Sequence, residues 1–109
     1  MIYELRIYTV KPDQVDELLR LWEHEGKPLI DRYMECIGIW LTDAGRLNQV
    51  VHLYVWQSYE HRDRVRQEFY ALAEAKAYTA KVKKLYQSQE SMIMKAVSFS
   101  PRTIKEVPH

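Results

Sequence analysis

Cysteine is almost missing from this 109-residue chain. Cys36 stands alone, so an intrachain disulfide is impossible and a cluster of thiolate metal ligands is disfavoured. That thiol reads as a small, inert, buried group. Glycine is scarce as well: the 3 residues are isolated from one another, so no Gly-rich loop is available to cradle a phosphate. Neither sign of charge prevails. Against 15 Asp+Glu stand 16 Lys+Arg, and a formal charge of +1 gives no global field to draw in nucleic acid or an anionic membrane. No apolar run approaches the ~20 residues of a membrane span. The opening Met1-Ile2-Tyr3-Glu4 has no basic segment leading into an apolar one. The 4 His show no metal-ligand spacing, and His24 beside Glu25 has no second ligand at i+4. The expectation is a soluble, cytoplasmic protein with no metal, no bound cofactor, no nucleic-acid partner and no membrane partner.

What is present is an ordinary globular mixture, 47% hydrophobic and 28% charged. It implies one domain over 1–101 with a polar tail over 102–109. The most telling stretch runs from Asn48 to Gln57, free of Gly and Pro and rich in β-branched and aromatic residues. It predicts a strand with Val51, Leu53 and Val55 on one face and Asn48, Val50, His52, Tyr54 and Trp56 on the other. The first set is plain core. The second mixes an imidazole, an amide, a phenol and an indole, an odd lining for a simple interior.

Ahead of it, residues 2–10 predict a first strand, with Tyr3, Leu5 and Ile7 opposite Glu4, Arg6 and Tyr8. Pro12 and Asp13 suit the first turn of a helix. Val15, Leu18, Leu19 and Trp22 follow at i, i+3, i+4 and i+7, a stripe for packing on a sheet. Gly26 marks a stop or kink, with Pro28 starting a continuation. A second strand covers about 36–42, with Ile37, Ile39 and Leu41 opposite Gly38, Trp40 and Thr42. The turn at Asp43-Ala44-Gly45-Arg46 joins it to the central strand as a hairpin. Ser58 is a fitting N-cap for the next helix, whose stripe is Val65, Phe69 and Leu72. Tyr78, Val82 and Leu85 keep helical spacing in a shifted phase, which predicts a break near residues 73–78. A last strand is expected over about 91–99, with Met92 and Met94 in the core.

The order β-α-β-β-α-β is that of an α+β, ferredoxin-like domain, a four-stranded antiparallel sheet with its helices on one face. Assigning the aliphatic strand faces to the helices would leave Tyr8, Trp40, Tyr54 and Trp56 on the other side. Two such sheets packed face to face would enclose them, so a homodimer is expected.

Several segments carry a family likeness. Met1-Ile2-Tyr3-Glu4-Leu5-Arg6-Ile7-Tyr8-Thr9 resembles the start of the NIPSNAP family, as does Leu47-Asn48-Gln49-Val50-Val51-His52-Leu53 in the middle. Gln89-Glu90-Ser91 and then Phe99-Ser100-Pro101 resemble its close. Ala75-Lys76-Ala77-Tyr78 departs from the family's pattern, in which an Asp-Pro-like break is accompanied by a Trp. The resemblance implies the dimeric α+β barrel superfamily, which includes cofactor-free monooxygenases, haem-degrading enzymes and small lactone isomerases. NIPSNAP members themselves mostly lack an established activity, and a short single-domain chain such as this resembles a bacterial member.

The candidate site residues follow from the polar faces. His52 is the only side chain on them that titrates near neutrality, so it is the candidate acid/base. Arg6 offers a permanent charge for an anionic ligand or enolate, and Tyr54 an orienting hydroxyl. Glu4, Tyr8, Trp40, Asn48 and Trp56 complete the expected binding set. Two readings result: a small-molecule-binding dimer without established chemistry, or a cofactor-independent monooxygenase or isomerase acting on a flat phenolic or anionic molecule. Against both stands a purely structural alternative, in which Glu4 pairs with Arg6 of the other subunit and His52 donates to a nearby carboxylate or carbonyl. The mixed-charge run Glu60–Arg66 and the lysines Lys81, Lys83 and Lys84 read as solvated helix faces.

Overall fold

Alternation through Ile2–Val10, interrupted only in burial at Arg6, produces the first strand, β1, and the hydrophobic runs after it fall into helix and strand in the expected order. A computed structural model describes residues 1–101; the expected tail at 102–109 lies outside the described residues. After β1 come α1 (Val15–Leu21), a π-helical turn (Trp22–Gly26), α2 (Lys27–Ile30), β2 (Glu35–Leu41) and β3 (Gln49–Trp56). Then follow α3 (Tyr59–Ala71), α4 (Ala73–Lys83) and β4 (Tyr86–Met94). The sheet order is β2-β3-β1-β4, antiparallel throughout. This is the ferredoxin-like α+β arrangement, with the helices packed on one face of the sheet. No helix among the described residues is long and apolar enough to cross a membrane.

Local chemistry accounts for the element ends. Ser58 caps α3, its hydroxyl accepting from the backbone N–H of His61 at 3.0 Å. The break in the second helical region falls at Leu72, where ψ of 138° interrupts the helix, one residue before the span that the phase slip indicated. Pro12 does not open the first helix. It sits in a turn closed by the Gln14 N–H on the Lys11 carbonyl, and the helix begins three residues later. Asn48 adopts a left-handed backbone, φ 61°, so it ends the hairpin loop and β3 starts at Gln49. The last strand lies five residues earlier than expected. Its polar Gln87, Ser88, Gln89 and Glu90 are tolerated because β4 is a sheet edge, half in water.

The alternation expected along β1 and β3 is present, but the helices cover the opposite face from the one anticipated. Ile2, Glu4, Tyr8 and Val10 of β1 and Val50, His52, Tyr54 and Trp56 of β3 are all buried, and the cluster against the helices is built on this face. Leu5, Ile7, Val51 and Leu53 are only half-buried on the open face; Val55, near the strand end, is buried. This face carries Ile2, Tyr8, Val10, Val50, Tyr54 and Trp56, and it can be closed because α3 supplies Arg62 to the Glu4 carboxylate buried with them. A bulge re-phases β2: two of its residues, Ile37 and Gly38, answer one step of β3. Cys36 and Ile39 therefore both pack against the core, whereas Gly38 and Trp40 share the open face. Trp40 is 50% exposed, its ring folded over Gly38, and Met92 is 50% exposed, not core. Cys36 is half-buried, and burial pushes its thiol pKa up.

The first helical region is widened, not stopped, at Gly26. The π-helical turn carries the chain on into Pro28, which has no N–H to give to a regular turn. Gly26 also lets α4 approach, because a Cβ there would stand 2.5 Å from both Cζ and Oη of the buried Tyr78. Gly26→Ala is expected to lower stability by about 1–3 kcal/mol through overpacking, read as a fall in the urea midpoint. An unchanged midpoint would show that the Tyr78 ring shifts freely.

Candidate functional site

Between the sheet and the helices lies a cavity of about 330 Å³. The sheet contributes Glu4, Arg6, Tyr8, Tyr54, Trp56, Tyr86 and Gln89. The first helical region contributes Trp22 and Ile30; α3 adds Arg66, Phe69 and Tyr70; α4 adds Tyr78, Thr79, Val82 and Lys83. Trp22, Tyr54, Trp56, Phe69 and Tyr78 are buried, whereas Tyr70, Lys83 and Gln89 are exposed. The cavity therefore has a closed aromatic interior and a polar mouth.

At its base Glu4 is fully buried and accepts hydrogen bonds from four residues. Arg62 donates through Nε at 2.9 Å and Nη2 at 3.0 Å, Arg6 through Nη1 at 3.0 Å, Trp56 through Nε1 at 3.1 Å, and Ser91 through Oγ at 2.6 Å. Burial alone would push this carboxyl up. The bonds from Arg62 and Ser91 and the charges of both arginines outweigh it and hold the pKa down at about 2. Glu4 is an ionised carboxylate, and within the chain it is paired with Arg6 of its own strand. Arg6 then donates from Nε to the Tyr8 hydroxyl at 2.7 Å, so its planar fork joins an anion to a phenol. Burial pushes the hydroxyls of Tyr8, Tyr54, Tyr78 and Tyr86 up, and all are neutral phenols at physiological pH.

His52 departs from its expected role. It is 2% exposed and does not line the cavity; its ring lies 4.2 Å from that of Trp22 and 4.8 Å from that of Tyr8, behind the wall. Its Nδ1 shares a hydrogen bond with the Tyr54 hydroxyl at 3.3 Å, not with a carboxylate or carbonyl. Burial and then the charge of Arg6 lower its pKa to about 3. It is a neutral imidazole at pH 7 and does not titrate near neutrality.

Of the expected site residues, Arg6, Tyr54, Glu4, Tyr8 and Trp56 meet at the cavity. Trp40 and Asn48 do not: the first is on the open sheet face, and the second stands in the hairpin loop beside Leu41, Thr42 and Leu47. The cavity residues that sequence pattern reads only as core or as solvated faces are Trp22, Arg66, Tyr78 and Lys83, together with Arg62 behind them. A signal for two of these exists. Arg62 and Arg66 precede Phe69 by seven and three residues, on the same helical stripe that buries Phe69. Among the described residues no group of His, Cys, Asp and Glu is arranged to hold a metal ion.

The His52 and Glu4 shifts both cost stability as pH falls. As pH falls below about 6.5 the unfolded chain protonates His52 while the folded chain does not, so stability is lost down to about 3. Glu4 adds a further loss from about 4.5 to about 2. In thermal melts between pH 7 and about 5, His52→Gln should flatten the fall in Tm, because each unit of pH in the window removes up to about 1.4 kcal/mol per differing proton. An equally steep fall in the variant would place the acid sensitivity elsewhere.

Comparison with known proteins agrees with this architecture. The NIPSNAP family model matches residues 3–101. A NIPSNAP domain protein of Burkholderia xenovorans superposes with a TM-score of 0.89 at 30% identity, covering 94% of this chain and 100% of that one. A NIPSNAP family protein of unknown function from Agrobacterium tumefaciens superposes at 0.86 with 28% identity, covering 93% and 92%. Human NipSnap homolog 3A is 33% identical over 79 residues, 72% of this chain, which spans only 30% of that relative's length. An antibiotic biosynthesis monooxygenase superposes at 0.62 with 17% identity, covering 89% of this chain and 99% of that one, a likeness of fold alone. With 99 of its residues inside the family model, and structural relatives matched nearly end to end, the chain belongs to the NIPSNAP family.

Proposed function

We propose that this protein binds a planar small molecule in the cavity between sheet and helices, and that it does so as a homodimer joined through the open faces of its sheets. The observation that carries the binding reading is the aromatic wall of the 330 Å³ cavity with the Arg6 guanidinium fixed inside it by Glu4 and Tyr8. Rings such as Trp22, Tyr78 and Tyr86 offer flat apolar contact, and they are among the residues that bind at little entropic cost. The charges are held static. Glu4 stays ionised, the shifted phenols stay protonated, and His52 stays neutral behind the wall. That pattern favours binding over proton-transfer chemistry, which needs a group titrating near the working pH at the ligand.

The dimer is supported by the half-buried Leu5, Ile7, Val51 and Leu53 with the exposed Trp40 and Met92, which line one another across the open sheet face. A single half-buried thiol suits a reducing, cytoplasmic compartment.

Native mass spectrometry and calorimetric titration with naphthol test both parts. A dimer mass and one naphthol per chain are expected, with binding abolished in Thr79→Trp, which fills the cavity from α4 without touching the Glu4 network. A monomer overturns the assembly. Equal binding by Thr79→Trp and the parent chain overturns the placement of the ligand.

A further inference from the structure

We propose that the ligand of this cavity is a planar aromatic acid held in one direction. Its anionic group lies at the mouth between Arg66 and Lys83, and a hydroxyl or carbonyl oxygen at its other end accepts from the indole N–H of Trp22. The inference rests on the binding reading above and adds the ligand's class and orientation.

The first support is where polar groups lack partners. Among the described residues, the buried side-chain polar atoms without a hydrogen bond are Trp22 Nε1 and Tyr78 Oη. Both residues line this cavity, with the Tyr78 hydroxyl lying against Gly26. A buried donor left unmade is costly, so each one calls for a partner. An indole nitrogen only donates, so the atom that satisfies it must be an acceptor.

The second support is the distribution of charge. Inside, both cations are engaged: Glu4 is met by Arg62 and Arg6, and Arg62 also reaches Asp63 at 3.6 Å. At the mouth they are not. Arg66 is half-buried and Lys83 exposed, both line the cavity, and neither is paired with a carboxylate among the described residues. Arg66 is steadied by Tyr70, its guanidinium carbon 5.1 Å from the ring centroid. An anion carried inward would approach the Glu4 carboxylate; one left at the mouth meets two cations that have no carboxylate partner among the described residues. Between the two ends the walls are rings, which select a flat body.

Titrations with naphthol, naphthoate and hydroxynaphthoate separate the elements of this proposal. Naphthoate should bind about tenfold tighter than naphthol, with the gap closing as salt is raised. Hydroxynaphthoate should bind tighter still. The double variant Arg66→Gln, Lys83→Gln should lower the naphthoate-to-naphthol affinity ratio about tenfold. Trp22→Phe should bring hydroxynaphthoate down to the level of naphthoate. Equal binding of naphthol and naphthoate by the parent chain, at every salt concentration, would overturn the anionic class while leaving the cavity a binding site. Equal binding of hydroxynaphthoate and naphthoate by the parent chain would overturn the Trp22 contact, without recourse to a variant that folds poorly. Failure of all three probes to bind would overturn the binding reading itself, and this inference with it.

Discussion

A carboxylate taken out of water must be met by donors on every side, and Glu4 draws them from much of the fold. Arg6 comes from its own strand, Trp56 from β3, Ser91 from β4 and Arg62 from α3. A buried ion pair adds little net stability, but one left incomplete costs about 3–5 kcal/mol, so the arrangement tolerates few alternatives. It lets the face that carries Glu4 meet the helices. It also ties the edge strand β4 to the centre, and it turns Arg6 so that the remaining edge of its fork reaches Tyr8.

The electrostatic character of the cavity follows from that one knot. With Glu4 ionised, both arginines near it are committed, and the charge of Arg6 helps to keep His52 neutral. The phenols around them are buried and stay protonated. The interior is thus polar yet static, and among the described residues the cavity-lining cations without a carboxylate partner are Arg66 and Lys83, towards the mouth. A monooxygenase of the same fold shares the frame at 17% identity. Side chains at the cavity, not the frame, set what it binds or does.

Covering the polar, aromatic face of the sheet with helices leaves the aliphatic one open. Leu5, Ile7, Val51 and Leu53 are half in water, beside the exposed Trp40. The two sheet faces therefore differ, since one closes over the cavity within the chain and the other leaves apolar surface in contact with water. The bulge at Ile37 and Gly38 divides β2 between these roles by sending Cys36 and Ile39 to the core and Trp40 outwards.

The order of strands and helices, the family and the candidate status of Arg6, Glu4, Tyr8, Tyr54 and Trp56 are legible from the chain alone. Element order is written in local periodicity, in the cap at Ser58 and in the phase slip before Tyr78, none of which needs a distant contact to be read. Edge strand β4 escapes such a reading because its polar residues satisfy a sheet edge, a position that only the assembled sheet defines. Alternation separates the two faces of a strand but carries no sign, and the face buried here is one that long-range donors make tolerable, above all Arg62 on α3 reaching Glu4 on β1. The same holds for His52. Its chemistry as a free side chain points to an acid/base, whereas burial behind Trp22 and Tyr8, beside the charge of Arg6, makes it a neutral wall support. The sequence by itself determined which elements form and which residue types share a face. Tertiary structure decided which face closes on the helices and which groups keep their charge, because desolvation and ion pairing depend on neighbours brought from far along the chain.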